Sequence, residues 1–294
     1  MRHRPAEIAL SEPPLPHGRD FDGHPFVGLH YRLYRGDLFV GRVTGSDVGQ
    51  GDLGDCFFLS SLVAVANTHP ALVRRAIVAH GDDTYTVTFW ERTRGVPRPL
   101  PVRVDSTFPT DARGHQKFGR GLRAGARGAE LWPAIFEKAF AVSQHGYVHT
   151  NQGGDGREAL TALTGMPSRA LVPANLTRAA LWQRLVDGVK ARQPMVTSTP
   201  TTRELERRTG RRDLAGLLDD HYYAVVSVTE RRGERLVKLY SPLVDLSAAA
   251  VSTPEARDDA HRHVVMTLVE YRRDFDQLAF SALQRGTLGA APVA

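Results

Sequence analysis

The segment Gln50-Gly51-Asp52-Leu53-Gly54-Asp55-Cys56-Phe57-Phe58-Leu59 holds the only cysteine of a 294-residue chain. A Gly-Asp pair stands in front of Cys56 and an apolar run follows it. A helix that begins at the cysteine puts the thiol at the positive end of the helix dipole, beside free backbone N–H groups that favour a thiolate. The same N–H groups can hold the oxyanion that forms when the thiolate attacks a carbonyl, with the Gln50 amide as a second donor. One short segment can therefore supply a nucleophile and an oxyanion hole.

A thiol nucleophile needs a base and a group that orients the base. There are 12 histidines, so context must choose among them. His221 follows Asp219-Asp220 and opens the apolar run Tyr222-Tyr223-Ala224-Val225-Val226. A histidine at the mouth of a strand can face a helix N-terminus across a cleft. The next strand-like run, Leu236 to Tyr240, leads into Ser241, where an orienting side chain would sit.

Periodicity predicts the elements that must position these residues. Residues 1–25 read as a disordered Pro-rich N-terminal extension. Helices are expected over 56–67, 71–79, 129–142, 157–163 and 178–191. Strands are expected over 84–90, 101–105, 194–198, 221–229, 235–240 and 264–270, with a turn and edge segment over 271–280. The fold class is α+β, with a helical lobe over 26–165, a β-rich lobe over 166–285 and a tail over 286–294. Thr177 reads as a helix cap, Gly153-Gly154-Asp155-Gly156 as a hinge between the lobes, and His261-Arg262-His263 as a solvated loop entering a strand.

The chain resembles the calpain-type papain-like cysteine proteases. That family's nucleophile motif, Q-G-x-L-G-D-C-W-x-L, appears as QGDLGDCFFL, and its histidine motif, roughly G-H-A-Y-S-V, as DHYYAV. The segments DTYTVTFW, VRVDSTFPT, ELWPAIFEKAFA, GGDGREALTALTG and VVMTLVEYRRDFDQL match in order. The resemblance implies a two-lobed fold with the active site in the cleft between the lobes. It makes Cys56 the nucleophile, His221 the general base and acid, the two forming a thiolate–imidazolium pair, and Gln50 an oxyanion donor. The family's N-P-W-G reads Ser241-Pro242-Leu243-Val244 here, so serine replaces the orienting asparagine and leucine the shielding tryptophan; Asp245 is a substitute orienter four residues on. Phe57 replaces the tryptophan after the nucleophile. The resemblance also implies a first-lobe calcium site with Asp47 as an acidic ligand, although Tyr147-Val148-His149 lacks the second acid. No other cofactor is expected.

Three functions remain open on these residues. The first is a cysteine endopeptidase acting on protein or peptide substrates. The second is an inactive pseudoprotease used as a protein-binding module, and the third is acyl transfer or glutamine deamidation by the same Cys–His pair. Composition narrows the partners. The net charge of +6 comes from scattered arginines, with lysine only at Lys117, Lys138, Lys190 and Lys238, which speaks against a nucleic-acid partner. A single cysteine excludes an intrachain disulfide and a multi-cysteine zinc site. No apolar run has the length of a membrane span and the first residues carry no secretory h-region, so the expected location is cytoplasmic, without a membrane partner.

Overall fold

The computed structural model describes residues 6–20, 23–214, 216–244 and 262–283. The first part runs through strand β1 (His30–Leu33), β2 (Val48–Gly49), helix α1 (Cys56–Thr68), α2 (Pro70–Ala76), β3 (Ile77–Ala79), β4 (Thr84–Thr93) and β5 (Val96–Asp105). It continues with β6 (Thr107–Thr110), β7 (Arg120–Gly121), β8 (Ala124–Gly125), β9 (Gly128–Ala129), α3 (Trp132–Ser143), α4 (Tyr147–Thr150) and α5 (Gly156–Thr164). The second part holds β10 (Ser168–Leu171), α6 (Arg178–Lys190), β11 (Met195–Ser198), α7 (Thr202–Thr209), β12 (Tyr222–Arg231) and β13 (Glu234–Tyr240). It ends with β14 (His263–Thr267), α8 (Leu268–Asp274) and β15 (Gln277–Ser281).

In the first part, α1 is apolar all round because it is the central helix of the core: its residues 57–66 are all buried. Phe58 stacks on Phe140 of α3 with ring centroids 3.9 Å apart, and Phe89 of β4 meets Phe136 and Phe140 edge-on. Strands β3, β4 and β5 form an antiparallel sheet. The β4–β5 hairpin turns through Arg94 and Gly95, both at positive φ, as a two-residue turn between right-twisted strands requires.

In the second part, a six-stranded antiparallel sheet runs in the order β10-β15-β11-β12-β13-β14. Its period-two pattern sorts side chains to two faces. Met195, Tyr223, Val237, Leu239 and Leu278 pack with Leu181 and Leu185 of α6 and with Tyr271 and Phe275. Val196, Ala224, Tyr240 and Ala279 join the core around α1 and α5 instead. The sheet is therefore shared by both cores, and α1 lies against β12.

The α+β class and most elements lie where the sequence puts them, and Thr177 caps α6 by accepting the Ala180 N–H at 3.2 Å. Three expectations need correction. The front half carries nine strands among the described residues, so it is less helical than its longest runs suggest. The run 264–270 is strand only to Thr267; there a capping box with Glu270 starts α8, and β15 is an interior strand between β10 and β11. Finally, residues 6–20 are packed rather than disordered. Ile8 bridges to Val102, the Tyr147 N–H reaches Pro14 O at 3.1 Å, and Pro13 accepts from the Tyr31 hydroxyl. Asp245, His261 and the tail 286–294 lie outside the described residues.

Lys138 explains why this proline-rich stretch stays down. Its ammonium is fully buried and meets Asp105 at 2.6 Å, Glu12 at 2.8 Å and both oxygens of Thr107. Removing one partner leaves buried charge uncompensated. Lys138→Met is expected to cost about 3 kcal/mol in denaturant unfolding, and to expose residues 6–20 to limited proteolysis. An unchanged digestion pattern would show that the prolines alone hold the segment.

Candidate functional site

Cys56 is the first residue of α1, and Asp55 is its N-cap. An N-cap aspartate ordinarily folds its carboxylate back onto the first-turn N–H groups. Here it does not. The Asp55 carboxyl is fully buried and hydrogen-bonded to Glu137 of α3, which also accepts the Gly119 N–H at 2.7 Å. Burial is the main force raising both carboxyls above their ordinary range; Glu137 raises Asp55 further, while the hydrogen bond from Asp55 pulls Glu137 back down, so the pair shares a proton that rests on Asp55. The consequence for α1 is an N-terminus that its own cap leaves open.

Cys56 lies in a cleft of about 1270 Å³ whose lining includes Gln50, Cys56, Gly154, His221, Tyr222 and Leu243. The thiol is pushed up to about 12, chiefly by burial; backbone N–H groups of Tyr222 and Phe57 pull in the opposite direction. His221 is buried and pushed down to about 4 by the same loss of solvent. Both side chains are therefore neutral at pH 7 in this arrangement. His221 Nε2 meets Ser241 Oγ at 2.9 Å, directly and without a bridging group. Ser241 Oγ also accepts the Leu243 N–H at 3.2 Å, and a hydroxyl has a second lone pair for the ring. The His221 N–H donates to Thr199 Oγ1 at 3.1 Å, and Tyr223 closes the ring edge-on at 4.9 Å.

Gln50 stands beside Cys56 across the loop. Its N–H donates to Pro242 O at 2.7 Å, and its carbonyl accepts the Val244 N–H at 3.3 Å. Its side-chain Nε2 is turned to Leu53 O at 2.8 Å. Two glycines make this approach feasible. A Cβ on Gly51 would lie 2.1 Å from Lys117 O, and one on Gly154 would lie 2.6 Å from the Phe57 ring. Gly154 is thus a close-packing position against Phe57, and Asp155 beside it caps α5 by accepting the Arg157 N–H at 2.8 Å.

The sequence profile of the calpain family cysteine proteases matches residues 32–247. The chain belongs to this family. It is 28% identical over 214 residues to the calpain-type cysteine protease ADL1 of Oryza sativa subsp. japonica, covering 70% of this chain and 9% of that protein. The calpain-type cysteine protease DEK1 of Arabidopsis thaliana matches to the same extent. Human calpain-14 is 27% identical over 217 residues, covering 70% of this chain and 29% of calpain-14. The aligned region thus spans less than a third of these relatives.

Gln50, Cys56 and His221 line one cleft, and Ser241 joins them through its contact with the His221 ring. Asp47 lies apart from the cleft, fully buried, and accepts from the Thr44 N–H and hydroxyl and from Arg123 Nε, each at 2.8 Å. With the guanidinium seated there, these residues do not fit a calcium ion. Among the described residues no group of three or more His, Cys, Asp or Glu is placed to hold a metal.

Arg262, read from the sequence as part of a solvated loop, is buried instead, because main-chain carbonyls surround its guanidinium. Its buried guanidinium donates to Ser241 O at 3.1 Å, Pro242 O at 3.2 Å and Val48 O, and lies 4.4 Å over the Tyr240 ring. It joins the strand before Gln50 to the turn that carries Ser241. An arginine at the mouth of a strand that follows the candidate orienter is the only local signal, and it is weak.

The Asp55–Glu137 pair has a stability signature. Both carboxyls hold protons more tightly in the folded state, so the folded chain binds more protons than the unfolded chain above the ordinary carboxylate range. Stability contributed by the pair is present at low pH and falls as pH rises through that window. Glu137→Gln keeps the shape and supplies the donor permanently. Its melting temperature is expected to vary less between about pH 5 and about pH 8 than that of the wild type. An equally steep decline in the variant would place the proton elsewhere.

Proposed function

We propose that the chain is a cysteine endopeptidase whose Cys56–His221 pair rests neutral and becomes reactive when a peptide fills the cleft. The observation that carries this reading is the His221 Nε2 to Ser241 Oγ contact. It commits one ring nitrogen to the orienter and leaves Nδ1 as the nitrogen that can serve the thiol in the same cleft. With Nε2–H donated to Ser241, Nδ1 carries the lone pair.

Nδ1 takes the Cys56 proton as sulfur bonds to the peptide carbonyl carbon. The carbonyl π electrons move to oxygen, where the Cys56 backbone N–H and a Gln50 amide released from Leu53 O stabilise the charge. The imidazolium Nδ1–H then protonates the leaving amine as the C–N bond breaks and a thioester remains. Water attacks the thioester, giving its proton to Nδ1. Collapse releases the carboxylic acid product and returns the proton to the thiol. The neutral resting pair differs from a preformed thiolate–imidazolium pair, and it also accounts for the second reading, a binding module of low intrinsic reactivity.

Cys56→Ala is expected to abolish cleavage of a denatured protein or a fluorogenic peptide library while leaving the melting temperature nearly unchanged. Cleavage by the alanine variant at the wild-type rate would falsify the nucleophile assignment. Alkylation of wild-type Cys56 by iodoacetamide is expected to rise by about tenfold per pH unit through neutrality, as for a thiol with a raised pKa. A flat, fast rate at acidic pH would instead reveal a resting ion pair.

Ser241→Ala tests the orienter. It is expected to lower kcat by a factor on the order of 10²–10³ with little change in KM, because the ring loses its tautomer and direction but not its place. A variant of full activity would remove Ser241 from the machinery.

A further inference from the structure

The loop that leads into the nucleophile segment is organised around a cation that the chain itself supplies. Arg123, two residues after β7, donates through Nη1 to Val40 O at 3.2 Å and Arg42 O at 3.0 Å. Its Nη2 reaches Thr44 Oγ1 at 3.2 Å and its Nε reaches Asp47 Oδ1 at 2.8 Å. The intervening carbonyl, Gly41 O, takes the guanidinium of Arg74, which lies 4.4 Å over the Phe39 ring. Three consecutive carbonyls, a hydroxyl and a buried carboxylate thus converge on guanidinium groups.

Carbonyl, hydroxyl and carboxylate oxygens from one short loop are the ligands that a hard divalent cation takes. Here they are already satisfied. Asp47 Oδ1 holds Thr44 Oγ1 and Arg123, and Oδ2 holds the Thr44 N–H. Glu130 completes the surroundings. Its Oε1 accepts the Val40 N–H at 2.6 Å, burial drives its carboxyl up to about 7, Asp47 adds to that rise, and Arg123 opposes it. Two buried acids therefore share one fixed positive charge.

We propose that Arg123 is the resident cation of this lobe, doing permanently the ordering for which an added calcium ion would otherwise be needed. The approach to the site then assembles without metal. The path from Arg123 to the cleft is short. Leu122 N–H donates to Asp47 O at 2.9 Å, β7 pairs with β2, and Gln50 follows β2 directly. Arg123 acts through this strand and is a positioning residue.

The test uses the full chain, stripped with EGTA and then titrated with calcium chloride alone. Thermal unfolding and titration calorimetry are the readouts, and neither depends on peptide cleavage. The wild type is expected to show no binding heat and no shift in melting temperature at millimolar calcium. Arg123→Ala is expected to melt about 5 °C lower in EGTA, and to recover part of that loss with calcium but not with potassium chloride of equal ionic strength. Arg123→Lys, which keeps the charge but not the fork, is expected to fall between the two without a calcium response. A calcium-dependent rise in the wild-type melting temperature overturns the proposal. So does an Arg123→Ala loss that calcium leaves untouched, which would reduce Arg123 to an ordinary structural bond. If Arg123→Ala does not fold, the wild-type titration and Arg123→Lys still decide.

Discussion

The site depends on one short parallel bridge between the two halves of the chain. Gln50 pairs with Leu243, through the Gln50 N–H to Pro242 O and the Val244 N–H to Gln50 O. Gln50 lies six residues before Cys56, and Ser241 lies two before Leu243, so the bridge fixes the thiol side and the imidazole side in one frame. Arg262 locks it: its Nη2 donates to both Val48 O and Pro242 O, and its Nε donates to Ser241 O. A second tie, Ser60 Oγ to Tyr222 O at 2.7 Å, fixes α1 against the start of β12. Sliding one half past the other would break all of these bonds together, which makes the closed arrangement cooperative.

Within that frame two electrostatic effects compete at Cys56. The helix dipole and first-turn N–H groups favour the thiolate, typically by 0.3–1 kcal/mol at an exposed site, up to about 2 kcal/mol in a partly buried one. Burial opposes it, and the climb from 9 to about 12 corresponds to something on the order of 4 kcal/mol. Desolvation wins in the substrate-free cleft. In the proposed reaction the open N-terminus of α1 still matters, because its N–H groups would face charge that develops in the transition state rather than charge already present. The buried Asp55–Glu137 pair contributes by keeping the cap side chain away from those N–H groups.

Much of this was legible in the sequence, for a physical reason. A helix starting at Cys56 and a strand opening after His221 are written in local periodicity, and the structure has them at Cys56–Thr68 and Tyr222–Arg231. The α8 capping box, Thr267 with Glu270, was also written locally but was masked by an apolar run that extends equally well as strand. The reach of Ser241 depends on its turn, which brings the hydroxyl to the ring directly, and residue type alone does not encode that. Arg262, Arg123 and the packing of residues 6–20 left no such trace. Their partners lie from 18 to 214 residues away, and no spacing rule encodes a guanidinium meeting a carbonyl at such separations.

The abundance of arginine, scattered along the sequence without a readable role, acquires a structural use through those same contacts. Arg262 gathers main-chain oxygens from two separate turns, and Arg123 gathers two from one loop. Arg272 does the same, with Nε on Leu176 O at 2.7 Å and Nη2 on Ala174 O at 2.6 Å, and Arg92 holds Gly165 O at 2.9 Å. Irregular loops leave carbonyls that no ladder satisfies, and burying them unpaired is costly. A planar fork with five donors can close two or three of them at once, whereas an ammonium offers three donors around a single strongly hydrated point. Arginine, rather than lysine, therefore suits the irregular turns that this chain buries, among them the Ser241–Pro242 turn next to the cleft.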